Sequence, residues 1–137
     1  MNFFIIAIFC SIAALAFAQD TFPSGAQLNA GEWKLSPNGQ WRIVMQGDGN
    51  LVIYNAATGV YKWSTCTGCS GATKAIMQQD GQFVLQTASG QLKWTSYTRD
   101  AGSYARLQND GKLVVYSPRL GLVWNSVTDY GPSKETV

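Results

Sequence analysis

A nine-residue segment that occurs three times along the chain is the feature that most restricts its fold. The copies begin at Gln46, Gln78 and Gln108, which gives a period of about thirty residues, in the range of known repeat proteins. A tryptophan closes each unit at nearly the same spacing. These tryptophans are Trp63, Trp94 and Trp124. Repetition of several elements at one period predicts a tandem array in which each unit is one structural repeat.

Each copy of the segment is typical of a β-hairpin. All three contain Asp-Gly between apolar runs, which is a strong signal for a tight turn between two strands. In the strand after the first turn, Leu51 and Ile53 share one face, and side chains alternate between faces along a strand. The opposite face carries Asn50, Val52 and Tyr54. No segment shows a sustained helical period, so we expect an all-β protein with essentially no helix.

The apolar faces of the three repeats predict the core. The equivalent core positions are Leu51 and Ile53, Phe83 and Leu85, and Leu113 and Val115. One small sheet could not bury such a face alone, but three sheets packed around an axis could. We place the three closing tryptophans near that axis, as core residues and not as ligand-binding residues.

The other stretches are predicted to be short strands, turns and linkers. They comprise a loose leader (19–26), two extended pieces (28–31 and 32–35), a turn (36–39), and linkers at 65–72 and 96–102.

The first eighteen residues are typical of a cleaved signal peptide. An uncharged apolar run leads to Ala16-Phe17-Ala18, a small-residue cleavage site before Gln19. The run is too short for a comfortable membrane span, and no second apolar stretch follows it. We therefore expect a signal peptide at 1–18, one domain at 19–137, a secreted product and no association with membranes.

The charge and composition argue against several classes of function. The net charge is +2, with ten scattered basic residues, whereas nucleic-acid binding needs a concentrated cationic face. The chain has no histidine, so metal binding and general-base catalysis lose their commonest residue. No close pair of carboxylates or nucleophile–base arrangement stands out. We expect no enzyme activity, no metal and no cofactor.

Two cysteines remain in the predicted mature chain, Cys66 and Cys69. In a secreted protein, a disulfide that closes a tight loop is the simplest interpretation, and a free dithiol is the alternative. A redox Cys-x-x-Cys would need a strand-to-helix context, which this β-rich sequence does not offer. Such a short ring would stabilise the fold only slightly.

The first copy resembles the mannose-binding motif of the bulb-type lectins found in monocots, fish, fungi and bacteria. The matching positions are Gln46, Asp48, Asn50, Val52 and Tyr54. The repeats and their closing tryptophans extend the resemblance over essentially the whole mature chain. It implies a β-prism of three antiparallel sheets about a pseudo-threefold axis, with a sugar site on each sheet.

The resemblance also implies a chemistry for this motif. Asp48 and Asn50 would bind the axial 2-hydroxyl of mannose, which glucose lacks. Gln46 would bind the 3-hydroxyl, Tyr54 the 4-hydroxyl, and Val52 would pack against the C–H face of the sugar. No metal takes part, and the chain lacks the Glu-Pro-Asn triplet of the calcium-dependent mannose-binding class.

The other two copies depart from the motif. The second keeps Gln78, Asp80 and Val84 but has Gln82 in place of Asn and Gln86 in place of Tyr, so we interpret it as a degraded site. The third is a weaker candidate site because Lys112, which donates but cannot accept, replaces Asn. Its retained residues are Gln108, Asp110, Val114 and Tyr116.

The sequence supports two candidate functions. The first is a secreted, metal-independent lectin for terminal mannose or mannan-type glycans, with a role in defence. The alternative is a β-prism that acts through protein–protein contacts with little or no sugar binding. The resemblance also implies a possible homodimer, because members of the bulb-type lectin family often dimerise by exchanging a terminal strand, and residues 122–127 are the candidate strand here.

Overall fold

The computed structural model describes residues 20–127, and within them the chain forms twelve β-strands and no helix. The strands are β1 (Thr21–Phe22), β2 (Gln27–Asn29), β3 (Trp33–Leu35), β4 (Trp41–Met45), β5 (Leu51–Asn55), β6 (Tyr61–Ser64), β7 (Ala72–Met77), β8 (Phe83–Thr87), β9 (Leu92–Thr95), β10 (Tyr104–Leu107), β11 (Leu113–Ser117) and β12 (Gly121–Asn125). The candidate signal peptide, Gln19 and the tail at 128–137 lie outside the described residues.

The strands form three four-stranded antiparallel sheets, one for each repeat. Sheet one has the order β3-β4-β5-β6, sheet two β2-β7-β8-β9, and sheet three β1-β10-β11-β12. Each repeat supplies three consecutive strands, and the fourth comes from the segment before the first repeat. The predicted all-β fold with three antiparallel sheets is therefore confirmed.

The prediction of a loose leader at residues 19–26 is wrong in part. Thr21 and Phe22 form β1 and pair with β10 in sheet three, opposite Arg106 and Ala105. Phe22 is 0% exposed and packs edge-to-face on Phe83, with ring centroids 5.2 Å apart. A two-residue strand has no periodicity to detect, and its partner lies more than eighty residues away in the sequence.

The core lies between the inner faces of the three sheets, as predicted. All six predicted core positions on β5, β8 and β11 are fully buried. The closing tryptophans meet edge-to-face near the axis, with centroid separations of 6.1, 5.9 and 5.6 Å. Trp63 is 8% exposed, whereas Trp94 and Trp124 are only partly buried. The three rings therefore hold each sheet to both of the others.

The Asp-Gly turns are also contact points between repeats. Gly49, Gly81 and Gly111 all have positive φ, at 94°, 95° and 81°. A Cβ on Gly81 would lie 2.5 Å from the backbone nitrogen and oxygen of Asp100, and one on Gly111 would lie 2.7 Å from the Trp41 ring. Glycine is required there both by the backbone conformation and by the close approach of the neighbouring repeat.

Asp100 ties the second turn to the hairpin of sheet three. Its backbone N–H donates to the carbonyl of Asp80 at 3.2 Å. Its carboxylate accepts hydrogen bonds from the Ser117 hydroxyl and from Nε of Arg119, the latter at 3.1 Å. The Ser117 hydroxyl, and then Arg119, hold the pKa of Asp100 below its usual range. This carboxylate is therefore used for structure.

Candidate functional site

The first motif lies on the outer face of sheet one, around the turn between β4 and β5. Gln46 follows β4, Asp48 is in the turn, and Asn50 directly precedes β5. Val52 and Tyr54 point outward from β5, because their neighbours Leu51 and Ile53 are fully buried on the inner face. The structure therefore places all five predicted residues on the outer side of one hairpin, from its turn to Tyr54 near the end of β5.

The Asn50 side chain is held in one orientation by the linker that follows β6. Its Oδ1 accepts hydrogen bonds from the Thr65 hydroxyl at 3.1 Å and from the Thr67 backbone N–H at 3.2 Å. Since a backbone N–H can only donate, the atom facing it must be the amide oxygen. The NH₂ group of Asn50 is thus left to donate to a ligand.

Asp48 presents an acceptor beside this donor. Its Oδ1 accepts the backbone N–H of Asn50 at 3.0 Å, which closes the turn. Its Oδ2 has no hydrogen-bond or ion-pair partner among residues 20–127, and the side chain is exposed. A hydroxyl placed between Oδ2 and the Asn50 amide could donate to one and accept from the other.

Gln46 and Tyr54 form the other end of the site. Nε2 of Gln46 donates a short hydrogen bond to the Tyr54 hydroxyl oxygen. The Tyr54 proton remains available to a ligand, as does Oε1 of Gln46. Both side chains are partly buried, so they are ordered before a ligand arrives.

Val52 forms the floor between these two pairs. It is 2% exposed and is flanked across the sheet by Val44 and Ser64. It can offer a ligand only a small apolar area, which is less than the resemblance implies. The polar pairs at the two ends must therefore account for most of the binding chemistry.

In the second copy, the polar groups that would bind a sugar are bonded to each other. Nε2 of Gln82 donates to Oδ2 of Asp80 at 3.3 Å, the oxygen whose counterpart on Asp48 is free. Oε1 of Gln82 accepts from the Thr95 hydroxyl at 3.0 Å. Gln86 stands where a tyrosine would meet Gln78. The geometry agrees with the interpretation of a degraded site.

The third copy keeps one end of the site intact. Nε2 of Gln108 donates to the Tyr116 hydroxyl at 2.8 Å, as in the first copy. At the other end, Nζ of Lys112 lies 3.9 Å from Oδ2 of Asp110. Both partners of this pair are exposed, so it is weak, on the order of 0–1 kcal/mol. Tyr104 also stacks on Tyr116, with centroids 5.4 Å apart.

The predicted disulfide between Cys66 and Cys69 is not formed in the structure. Both cysteines are exposed free thiols, and both have positive φ, at 55° and 64°. The Cys66 Sγ lies 3.6 Å from the Ser64 hydroxyl, while the Cys69 N–H donates to the carbonyl of Asp48 at 2.7 Å. Backbone hydrogen bonds hold this linker against the first turn without a covalent link.

Sequence reasoning missed the two threonines that orient Asn50. They belong to a Ser/Thr-x-Thr pattern that recurs two residues after each closing tryptophan. In the first repeat the Thr65 hydroxyl also accepts the Leu51 N–H, and the Thr67 hydroxyl donates to the Gly49 carbonyl. Ser96 and Thr98 make these same two bonds in the second repeat, with the Phe83 N–H and the Gly81 carbonyl. This periodicity was available in the sequence and could have identified them.

Comparison with known proteins assigns the family. A B-type lectin from Scorpaena plumieri, plumieribetin, is 33% identical over 108 residues, which cover 77% of this chain and 92% of the relative. The chain belongs to the bulb-type lectin family. Lectins bind sugars without transforming them, so the expectation that this chain is not an enzyme is confirmed. A scan against models of protein families gives no match.

Other bulb-type lectins support the same assignment. Mannose-specific lectin 2 of Colocasia esculenta is 33% identical over 118 residues, or 83% of this chain, and the match spans 42% of that longer protein. The structure of the mannose-specific agglutinin from snowdrop bulbs, complexed with methyl-α-D-mannoside, superposes with a TM-score of 0.65 at 30% identity. That match covers 82% of this chain and 99% of the snowdrop chain. The predicted β-prism is confirmed.

Two searches for other features gave negative results over residues 20–127. These residues include no group of three or more Cys, Asp or Glu placed to hold a metal ion. Nor do they include a helix long and apolar enough to cross a membrane.

Proposed function

We propose that this chain is a secreted, metal-independent lectin that binds terminal mannose at the site on sheet one. The observation that carries the proposal is the fixed amide of Asn50, with its donor facing outward beside a free oxygen of Asp48. The names of the Colocasia and snowdrop relatives, which are mannose-specific, support the same ligand.

The geometry suggests how mannose would be selected over glucose. An axial 2-hydroxyl would donate to Oδ2 of Asp48 and accept from the NH₂ of Asn50. With an equatorial 2-hydroxyl, both groups would lose water without gaining a partner, and an unpaired polar group costs about 1–3 kcal/mol. Gln46 and Tyr54 would bind the 3- and 4-hydroxyls and fix the orientation of the ring.

The affinity for one sugar should be low. A shallow site that binds one monosaccharide is expected to have a Kd on the order of 1 mM, roughly −4 kcal/mol. Useful binding to a glycan-coated surface, such as that of a microbe, would need several sites on one assembly. We propose a homodimer for this purpose and defence as the setting. In the structure β12, which contains most of the candidate segment 122–127, pairs with β11 of its own chain.

Retention on immobilised mannan tests the proposal. The wild-type protein should be retained and should elute with methyl α-mannoside but not with methyl α-glucoside. Asn50→Ala should pass through the column and still fold, because the turn keeps Asp48 and Gly49; its free energy of unfolding should fall by about 1–3 kcal/mol, since the Thr67 N–H loses its acceptor. Gln82→Ala, the equivalent change in the second copy, is the matched control and should be retained. Retention of Asn50→Ala, or elution by either sugar alike, would count against the assignment.

A further inference from the structure

A groove beside the sugar site on sheet one has no part in the function proposed above. Its volume is about 250 Å³. It is lined by Arg42, Val44, Tyr54, Asn55 and Gly59. Pockets that enclose a whole ligand measure roughly 300–1,000 Å³, so this groove suits one substituent of a ligand that is bound next to it. Tyr54 belongs to both places, since its hydroxyl is bonded to Gln46 within the site.

The orientation proposed for mannose decides which of its carbons faces this groove. Asp48 and Asn50 take the 2-hydroxyl, and Tyr54 takes the 4-hydroxyl. In the sugar ring, C5 lies directly across from C2 and next to C4. The C6 group, which C5 carries, therefore leaves the ring beside Tyr54, at the end farthest from Asp48 and Asn50. The glycosidic bond at C1 leaves from the other end, next to C2, and stays clear of the groove.

Arg42 is the charged residue of this groove, and it lies directly across the strands from Tyr54. Its guanidinium stacks over the ring of Trp33, 5.4 Å from the centroid. The side chain makes no hydrogen bond or ion pair within residues 20–127. Stacking on Trp33 orders the guanidinium, while its N–H groups remain available to a ligand.

The rest of the groove also offers donors more than acceptors. Oδ1 of Asn55 accepts the backbone N–H groups of Ala57 and Thr58, both at 3.0 Å, so its NH₂ group is the part left for a ligand. No acidic residue lines the groove. A cation and an amide donor with no carboxylate between them favour a substituent that is rich in acceptors and negatively charged.

We propose that this groove is a subsite for an anionic group on C6 of the bound mannose itself. The group is a phosphate on the 6-hydroxyl or the C6 carboxylate of a mannuronic acid. A guanidinium can bind either one through two parallel hydrogen bonds. This inference rests on the proposed function, because mannose bound at site one places its C6 beside Tyr54.

The feature is specific to sheet one. The residue equivalent to Arg42 is Lys74 on sheet two and Tyr104 on sheet three. Tyr104 stacks on its partner Tyr116 and carries no charge. Lys74 keeps the positive charge but lacks the planar fork of a guanidinium, and it lies beside the degraded copy of the motif. Lys74 therefore provides a matched control.

Calorimetric titration with four ligands tests the inference. They are methyl α-mannoside, its 6-phosphate, the methyl α-glycoside of mannuronic acid, and α-mannose 1-phosphate. A ligand with the anion on C6 should bind about tenfold more tightly than methyl α-mannoside at low salt, a difference of about 1.4 kcal/mol. That gain should shrink as salt is raised. The C6 acid that gains affinity identifies phosphate or carboxylate as the group recognised.

α-Mannose 1-phosphate is the control for position. It carries the same charged group as the 6-phosphate, but on C1, at the end of the sugar that faces away from the groove. It should therefore bind no more tightly than methyl α-mannoside. An equal gain for the 1-phosphate would mean that the attraction is not directed to C6, and it would overturn the inference.

Two variants locate the effect. Arg42→Gln should remove the gain for the C6 acids while leaving the affinity for methyl α-mannoside unchanged. Lys74→Gln makes the same change in net charge on another sheet and should leave both unchanged. A gain that survives in Arg42→Gln, or one that is lost equally in Lys74→Gln, would overturn the inference.

The neutral ligand separates this inference from the proposed function. Binding of methyl α-mannoside with no gain for either C6 acid would overturn the subsite and leave the mannose site in place. The Arg42 Nε–H signal in an NMR titration should also shift with the 6-phosphate. A shift of that signal without any binding of methyl α-mannoside would count against the mannose site and not the groove. A signal that neither C6 acid moves would overturn the subsite even if mannose binds.

Discussion

At the scale of single residues, the site depends on groups whose hydrogen bonds are already partly used inside the protein. Thr65 and Thr67 occupy the oxygen of Asn50, and the turn occupies one oxygen of Asp48. What remains is one donor and one acceptor side by side. The residue types could be predicted from the sequence, but the direction of the Asn50 amide could not, because it depends on a linker fifteen residues further along the chain.

Glycine in the second turn should be essential for a reason beyond its φ. We expect Gly81→Ala to lose about 1–2 kcal/mol from the left-handed conformation and about 1–3 kcal/mol more from the clash with the Asp100 backbone. Gly90→Ala is the control, because Gly90 has nearly the same φ, +92°, and nothing within 4 Å of its Cβ position. Urea unfolding of both variants measures the difference. Equal losses would mean that the turn can move away from Asp100.

At the scale of elements, the three hairpins share one backbone arrangement but differ in the side chains that surround their turns. This arrangement could be predicted from the Asp-Gly turns and the alternating pattern, since both act locally. The assignment of β1, β2 and β3 to three different sheets could not be predicted, because these strands are only two or three residues long and β1 and β2 pair with strands far along the chain.

Replacement of Lys112 by Asn tests whether the third hairpin keeps a working backbone. The change removes the ammonium beside Asp110 and restores a short amide, while the Gln108–Tyr116 bond is already present. We expect Lys112→Asn to bind about two methyl α-mannosides per chain in a titration, with affinities within roughly tenfold of each other.

Gln82→Asn is the control for this gain of function. The second hairpin lacks the tyrosine as well, so this variant should stay at one sugar per chain. If Lys112→Asn also binds only one sugar per chain, then Lys112 is not what prevents binding at the third copy. The stacking of Tyr104 on Tyr116 would then be the next feature to test by mutation. Two sugars bound by the wild-type protein would mean that Lys112 is a tolerated ligand.

At the scale of the whole molecule, the three tryptophans join the sheets. Their meeting near the axis could be predicted from their common period, and the structure shows edge-to-face contact in all three pairs. The unequal burial of the three tryptophans could not be predicted from the sequence, because it depends on how the ends of the sheets are covered. Trp94 was expected to be buried and is only partly so.

Removal of one ring should weaken the whole fold. Trp94→Ala loses contacts with Trp63, Trp124 and Phe83, and we expect a loss of about 3 kcal/mol, at the low end for a large aromatic because Trp94 is not fully buried. Trp33→Ala is the control: its side chain is 48% exposed on the outer face, and about 1 kcal/mol or less should be lost. Thermal unfolding compares the two. A Trp94 variant as stable as the Trp33 variant would contradict this role.

A titration of the labelled protein with methyl α-mannoside, followed by amide NMR shifts, tests the mannose site most directly. Saturable shifts should appear at Asp48, Asn50 and Tyr54 with a Kd on the order of 1 mM, while the equivalent amides at Asp80, Gln82 and Gln86 stay in place. Asn50→Ala should show no saturable shift in the same experiment. Shifts that concentrate on another surface, or that persist unchanged in Asn50→Ala, would contradict a mannose site on sheet one.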